Sequence, residues 1–231
     1  YEIAASFPKL QSLIVPADQS GYFQHFSLTG DIWGRFLMSN TKWYNNFSVY
    51  RYMHEGWLNT PFNILTSFYP EFRKVKEATN GQGITYALAL INRVGLMHRL
   101  TDLYGPIPYT QIEGGNLKVP YDSQEVVYKA MLADLNTAIN DLTIYISANP
   151  TAKVMADQDL LYRGDLTKWV RFANSLKLRL AMRMRYVEPA LAKNAVEEAV
   201  NHTIGVITDN ADNAIVRQKG NSMLWLITNA W

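Results

Sequence analysis

At 231 residues and 48% hydrophobic content, the chain can bury a sizeable core as one domain, or at most two. Its formal net charge of +2 supplies no bulk field that would call for nucleic acid or an acidic surface. With no cysteine, disulfides and thiolate metal sites are excluded, though the compartment is not fixed.

No run of about 18 apolar residues marks a membrane span, and the residues after Tyr1 are not expected to form a signal peptide. A start on Tyr1 rather than Met is expected to reflect processing or a cut from a longer chain. An apolar pattern opens at Met223, Leu224, Leu226 and Ile227 with no stop before Trp231, so the fold is expected to be incomplete at both ends.

Residues 1–15 read as a short helix interrupted by Pro8, and residues 16–21 as a turn. From Tyr22 to Trp57 aromatic rings recur among Asn40, Asn45 and Asn46, the pattern of helix pieces joined by polar loops. Thr60-Pro61 predicts a helix start, with a capping hydroxyl and proline at the first helical position. Phe62, Leu65, Tyr69, Phe72 and Val75 continue that helix to Asn80-Gly81, with a kink expected at Pro70.

The stretch from Ile84 is apolar over most of a helical circumference: Leu88, Ile91 and Gly95 share one row, while Ala87, Leu90, Val94, Met97 and Leu100 fill the next. Such a helix lies between other helices. Gly105 and Pro106 stop it, and Pro106-Ile107-Pro108 should hold an extended exit that presents Asp102, Tyr104 and Tyr109. Asp122 and Glu125 predict a capping box for the next helix, whose stripe is Tyr128, Leu132, Leu135, Ile139 and Leu142. After a polar stretch over 147–164, Asp165 can cap a helix with Trp169, Phe172, Leu176, Leu180 and Met184 on one face. Glu188-Pro189 opens another helix that ends near Gly205. No convincing alternating strand appears over most of the chain. The expected class is all-α, with helices of about 15 to 20 residues, or about 25 to 30 Å.

Lys168, Arg171, Lys177, Arg179, Arg183 and Arg185 share one acid-free helix. With near-neutral total charge, pairing with Asp134, Asp141 and Asp165 is the better reading than a nucleic-acid groove. His25, His54, His98 and His202 lack metal-ligand spacing, and Asp209–Asn213 lacks the glycine and glutamate of a calcium loop. No metal or cofactor is expected. Asp31 and Glu55 are the carboxylates that would flank a sugar in an acid–base enzyme, but nothing nearby in sequence raises the pKa of either. The aromatic density favours stacking on sugar C–H faces instead, each contact contributing on the order of 1 kcal/mol. A few such contacts give roughly millimolar affinity, which suits capture of a repetitive polymer. Trp33, Trp43, Tyr44 and Trp57 are the candidate ligand-binding rings.

Three stretches in order resemble one family. Leu103 to Tyr109 (LYGPIPY) resembles the hub exit of SusD/RagB-like outer-membrane lipoproteins, and Asp122 to Leu142 the helix that follows it there. Leu161 to Asp165 (LYRGD), running into Lys168-Trp169 and Phe172 to Arg183, is the most specific match. The resemblance spans residues from about 60 to 215. It implies a single helical domain over 1–231 built of tetratricopeptide-like antiparallel helix pairs. It further implies a non-catalytic, surface-exposed nutrient binder that lids a SusC-like TonB-dependent transporter and passes it glycans, or sometimes peptides. The lipid-bearing cysteine of that family is expected upstream of Tyr1 in the precursor. Family members are longer, and many of their ligand loops come from a later region.

The function expected is therefore glycan capture for a surface import complex. Its rivals are a glycan-cleaving enzyme using Asp31 and Glu55 and a helical-repeat adaptor for other proteins.

Overall fold

A computed structural model of the chain describes residues 2–14, 34, 36, 55–114, 116 and 118–216, and of residues 2 and 55–58 the backbone alone. Among these residues lie six α-helices: α1 (Glu2–Ile14), α2 (Glu55–Thr79), α3 (Gly83–Tyr104), α4 (Gln124–Ala148), α5 (Leu166–Met184) and α6 (Pro189–Val200). Two isolated antiparallel bridges, Ile107 with Asp122 and Lys153 with Asp165, are the only extended pairings described.

Burial of α3 follows from its composition. From Ala87 to Thr101 every residue except Arg99 is buried, because α1, α2, α4 and α5 all pack on it. Two of its polar side chains bond back to their own helix: Asn92 Nδ2 donates to the Leu88 carbonyl at 2.8 Å, and His98 Nδ1 pairs with the Val94 carbonyl at 3.0 Å. A carbonyl only accepts, so the His98 proton sits on Nδ1. The helix ends where expected. Gly105 adopts φ +74°, and its N–H returns to the Thr101 carbonyl at 2.8 Å.

Residues 80–82 alone join α2 to α3, and 185–188 join α5 to α6, so each pair runs antiparallel. α4 buries the stripe Tyr128, Leu132, Leu135, Ile139 and Leu142, while α5 buries Trp169, Leu176, Leu180 and Met184. α1 runs through Pro8 and buries Phe7 and Leu10 in the same core. The Ser6 hydroxyl donates to Glu71 at 2.6 Å, fastening α1 to α2.

Four local expectations are corrected. First, α2 begins at Glu55, so Thr60 and Pro61 lie inside it; a proline removes one ladder bond, which a 25-residue helix absorbs. Second, Asp122 and Glu125 form no capping box. Ser123 caps α4 by accepting from Val126 N–H, while Asp122, held opposite Ile107, accepts from Tyr109 N–H and Thr110 N–H at 3.0 and 2.7 Å. Third, Tyr109 is not displayed at the helix exit but turns inward, 1% exposed. Fourth, the α5 cations find other acids. Arg171 pairs with Asp212, Lys177 with Glu198 and Arg183 with Asp102, because those acids come from the loop after α6, from α6 itself and from the end of α3, all packed beside α5.

Candidate functional site

The LYRGD stretch owes its form to a carboxylate just before it. Asp159 is 1% exposed, and its bonds among the described residues come from neutral donors. Its Oδ1 accepts from Gln11 Nε2 at 2.7 Å and from the N–H groups of Leu161 and Tyr162. Its Oδ2 accepts from Gly164 N–H and Trp169 Nε1, each at 2.8 Å. Five oriented donors replace water around a buried charge. Gly164 has φ +77°, and a Cβ there would stand 2.8 Å from the Val154 carbonyl oxygen, so only glycine fits. Asp165 then caps α5, accepting from Lys168 N–H at 3.3 Å. The motif is a structural clasp joining α1, the loop and α5. The polar reading of 147–164 gives no hint of it; the pointer is an acid directly before the apolar pair Leu160-Leu161, with a tryptophan ten residues on.

A second buried network surrounds Arg93. Its guanidinium lies 3.9 Å from the Tyr109 ring centroid, donates to the Tyr109 carbonyl at 2.6 Å, and pairs with Glu113 at 2.6 Å and Asp134 at 3.4 Å. Burial opposes its charge, but Tyr109, Tyr69, Asp134 and Glu113 more than offset that and hold its pKa above the ordinary value. Asp134 is pushed upward by burial, against the pull of Arg93 and of the Tyr109 hydroxyl, which donates to it at 2.5 Å. Arg93 has no acid within a turn of it on this apolar helix and must find acids elsewhere, which is the sequence signal for this cluster.

A cleft of about 590 Å³ opens where α3 ends, α4 begins and α5 ends. On one wall, the Tyr128 hydroxyl donates to Asp102 Oδ1 and accepts from Arg183 Nε at 3.1 Å, while Arg183 Nε lies 3.0 Å from Asp102 Oδ2. Burial, then the bond and charge of Asp102, push the Tyr128 phenol up to about 12, so it keeps its proton. On the other wall, Lys129 stands 2.5 Å from Glu125 and 2.7 Å from Glu188. Met184 and Val187 supply the apolar lining. Gln124 closes one end by donating to the Thr101 carbonyl at 2.7 Å. The sequence reading named Asp102 and Arg183 separately; their meeting follows from the packing of α3 on α5.

The candidate rings Trp33, Trp43 and Tyr44, and the acid Asp31, lie outside the described residues. Trp57 and Glu55 fall on the first turn of α2, with side chains outside the described set. Of the candidate metal residues, His25 and His54 lie outside the described residues, while His202 contacts the Thr143 hydroxyl and accepts from Ile204 N–H. Asp209 caps a short turn, and Asp212 serves Arg171 and Lys168. Among the described residues no group of three His, Asp or Glu side chains is placed to hold a metal ion, and no helix is long and apolar enough to cross a membrane.

Comparison with known proteins bears on the whole chain. The family model described as "SusD-like: Susd and RagB outer membrane lipoprotein" matches residues 1–231. A SusD homolog from Bacteroides uniformis is 37% identical, with a TM-score of 0.82 over 95% of this chain and 46% of its own. A chitin-binding SusD homolog from Flavobacterium johnsoniae is 32% identical, with a TM-score of 0.83 over 94% of this chain and 46% of its own. A SusD-like protein from Bacteroides thetaiotaomicron is 30% identical, with a TM-score of 0.81 over 92% of this chain and 44% of its own. The chain thus spans less than half the length of these structures. No protein of curated function matches it.

Proposed function

The chain belongs to the SusD-like family of outer-membrane lipoproteins, and from that premise we propose that it serves as a non-catalytic glycan-capturing component of a cell-surface import system. The observation that carries this reading is its likeness to the chitin-binding SusD homolog. In this reading residues 1–231 make up one helical domain, with the pairs α2–α3 and α5–α6 as its scaffold. Trp33, Trp43, Tyr44 and Trp57 offer the stacking faces for sugar rings, and Asn and Asp side chains hydrogen-bond the hydroxyls. Weak individual contacts suit the task, because a polymer engages many at once and still releases. The captured oligosaccharide, or a peptide in its place, passes to a SusC-like TonB-dependent barrel, with the capturing protein held at the outer surface by a lipid on its precursor.

Retardation on native gels loaded with polysaccharides tests the reading. Migration should slow with at least one glycan, and Trp43→Ala or Trp57→Ala should restore it while the circular dichroism stays helical. Shortening of the polymer on incubation would instead indicate catalysis by Asp31 and Glu55. A chain that ignores every glycan yet binds proteins would be an adaptor.

A further inference from the structure

We infer that the cleft bounded by Asp102, Tyr128 and Arg183 is a contact site for a neutral sugar unit, built from residues other than the candidate rings; this rests on the glycan-binding reading above. The volume of about 590 Å³ falls within the roughly 300–1,000 Å³ range of small-molecule sites. The chemistry of the walls selects the ligand class. Its five charged side chains sum to one negative charge, with Asp102 paired to Arg183 and a single Lys129 shared by Glu125 and Glu188. An anion would find both cations engaged by carboxylates and one negative charge in excess, which opposes it.

A hydroxylated neutral ring needs acceptors and donors side by side. Paired carboxylate and guanidinium groups supply both in charge-assisted form. Tyr128 braces Asp102 and Arg183 in one geometry, so little ordering remains to be done on binding. The Arg183 side chain stays 48% exposed and Val187 is 77% exposed, giving a polar edge and an apolar edge open to an arriving ring. A polymer held here and at the aromatic segment gains from the linkage between its own units.

The test is a methyl-labelled NMR titration of the folded chain with chitohexaose, maltohexaose and xylohexaose. The Met184 and Val187 methyls should shift and saturate with at least one of them at millimolar concentration. Val187→Trp, at an exposed position, should abolish the Met184 shift and weaken hexamer binding several-fold with helicity unchanged. Shifts confined to methyls outside the cleft overturn this site and leave capture by the aromatic rings standing. No shift anywhere overturns both. Tighter saturation of the cleft methyls by hexagalacturonate than by any neutral hexamer overturns the neutral assignment.

Discussion

The indole N–H of Trp169 donates to Oδ2 of Asp159 at 2.8 Å, and that bond fixes how the loop before α5 closes on the core. The indole is also packed edge-on by Tyr162 and Phe172, at 5.5 and 6.0 Å between centroids. Asp159→Ala would strand five donors at once, and each stranded buried group costs about 1–3 kcal/mol before relaxation. We expect a loss of about 3–5 kcal/mol. Trp169→Phe keeps most of the packing and strands one lone pair, so its cost should be roughly 1–2 kcal/mol. Urea denaturation of the two variants checks the order; a milder Asp159→Ala than Trp169→Phe would show that the carboxylate is not the organising group.

Gly164 and Gly205 share a positive φ, +77° and +79°, but differ in surroundings. A Cβ on Gly164 meets Val154 backbone at 2.8 and 2.9 Å, whereas one on Gly205 meets nothing within 4 Å. Gly205→Ala should therefore lose only the backbone contribution, about 1 kcal/mol. Gly164→Ala should lose that plus the overlap, roughly 3 kcal/mol in all. Thermal melts of both chains measure the gap, and equal losses would sink the steric account.

Arg93 stands among Glu113 and Asp134 with its side chain 5% exposed. Arg93→Met leaves the half-buried Asp134 without its cation and Glu113 with Lys76 alone, at a cost of about 3–5 kcal/mol. Adding Asp134→Asn removes one of those charges and should recover part of the loss. Full additivity of the two changes in a double-mutant cycle would rule out the coupling.

His98 is held down to about 3 by burial, then by repulsion from Arg99, with the Val94 carbonyl pulling the other way. Its ordinary value is 6.5, so below that pH the unfolded chain takes up a proton that the native chain refuses. Stability must then fall as pH drops from 6.5 toward 3, by at most one proton, or about 1.4 kcal/mol per pH unit. Denaturation of the native chain and of His98→Gln between pH 7 and 4 should show a shallower decline in the variant. Parallel curves would mean that the imidazole charges without unfolding.

Much of the architecture was legible because it rests on local periodicity. The apolar rows of α3, the α4 stripe, the Asp165 cap and the Gly105 stop each involve residues close in sequence. What escaped was long-range. Asp122 had the spacing of a helix cap, yet a single bridge to Ile107 turned it toward Thr110. Arg183 was given Asp134, Asp141 or Asp165 as partners and found Asp102, because charge complementarity names a kind of partner and only packing selects one. The same limit applies to the cleft, whose walls come from three helices.

Gln11 donates to Asp159 across 148 residues of sequence, and its own Oε1 receives the N–H of Leu160. Synthesis at about 5–20 residues per second therefore leaves α1 waiting roughly 7 to 30 s for its partner loop to emerge. During that interval α2 and α3 can cover α1, but the polar clasp that ties Gln11 to the loop before α5 is still missing.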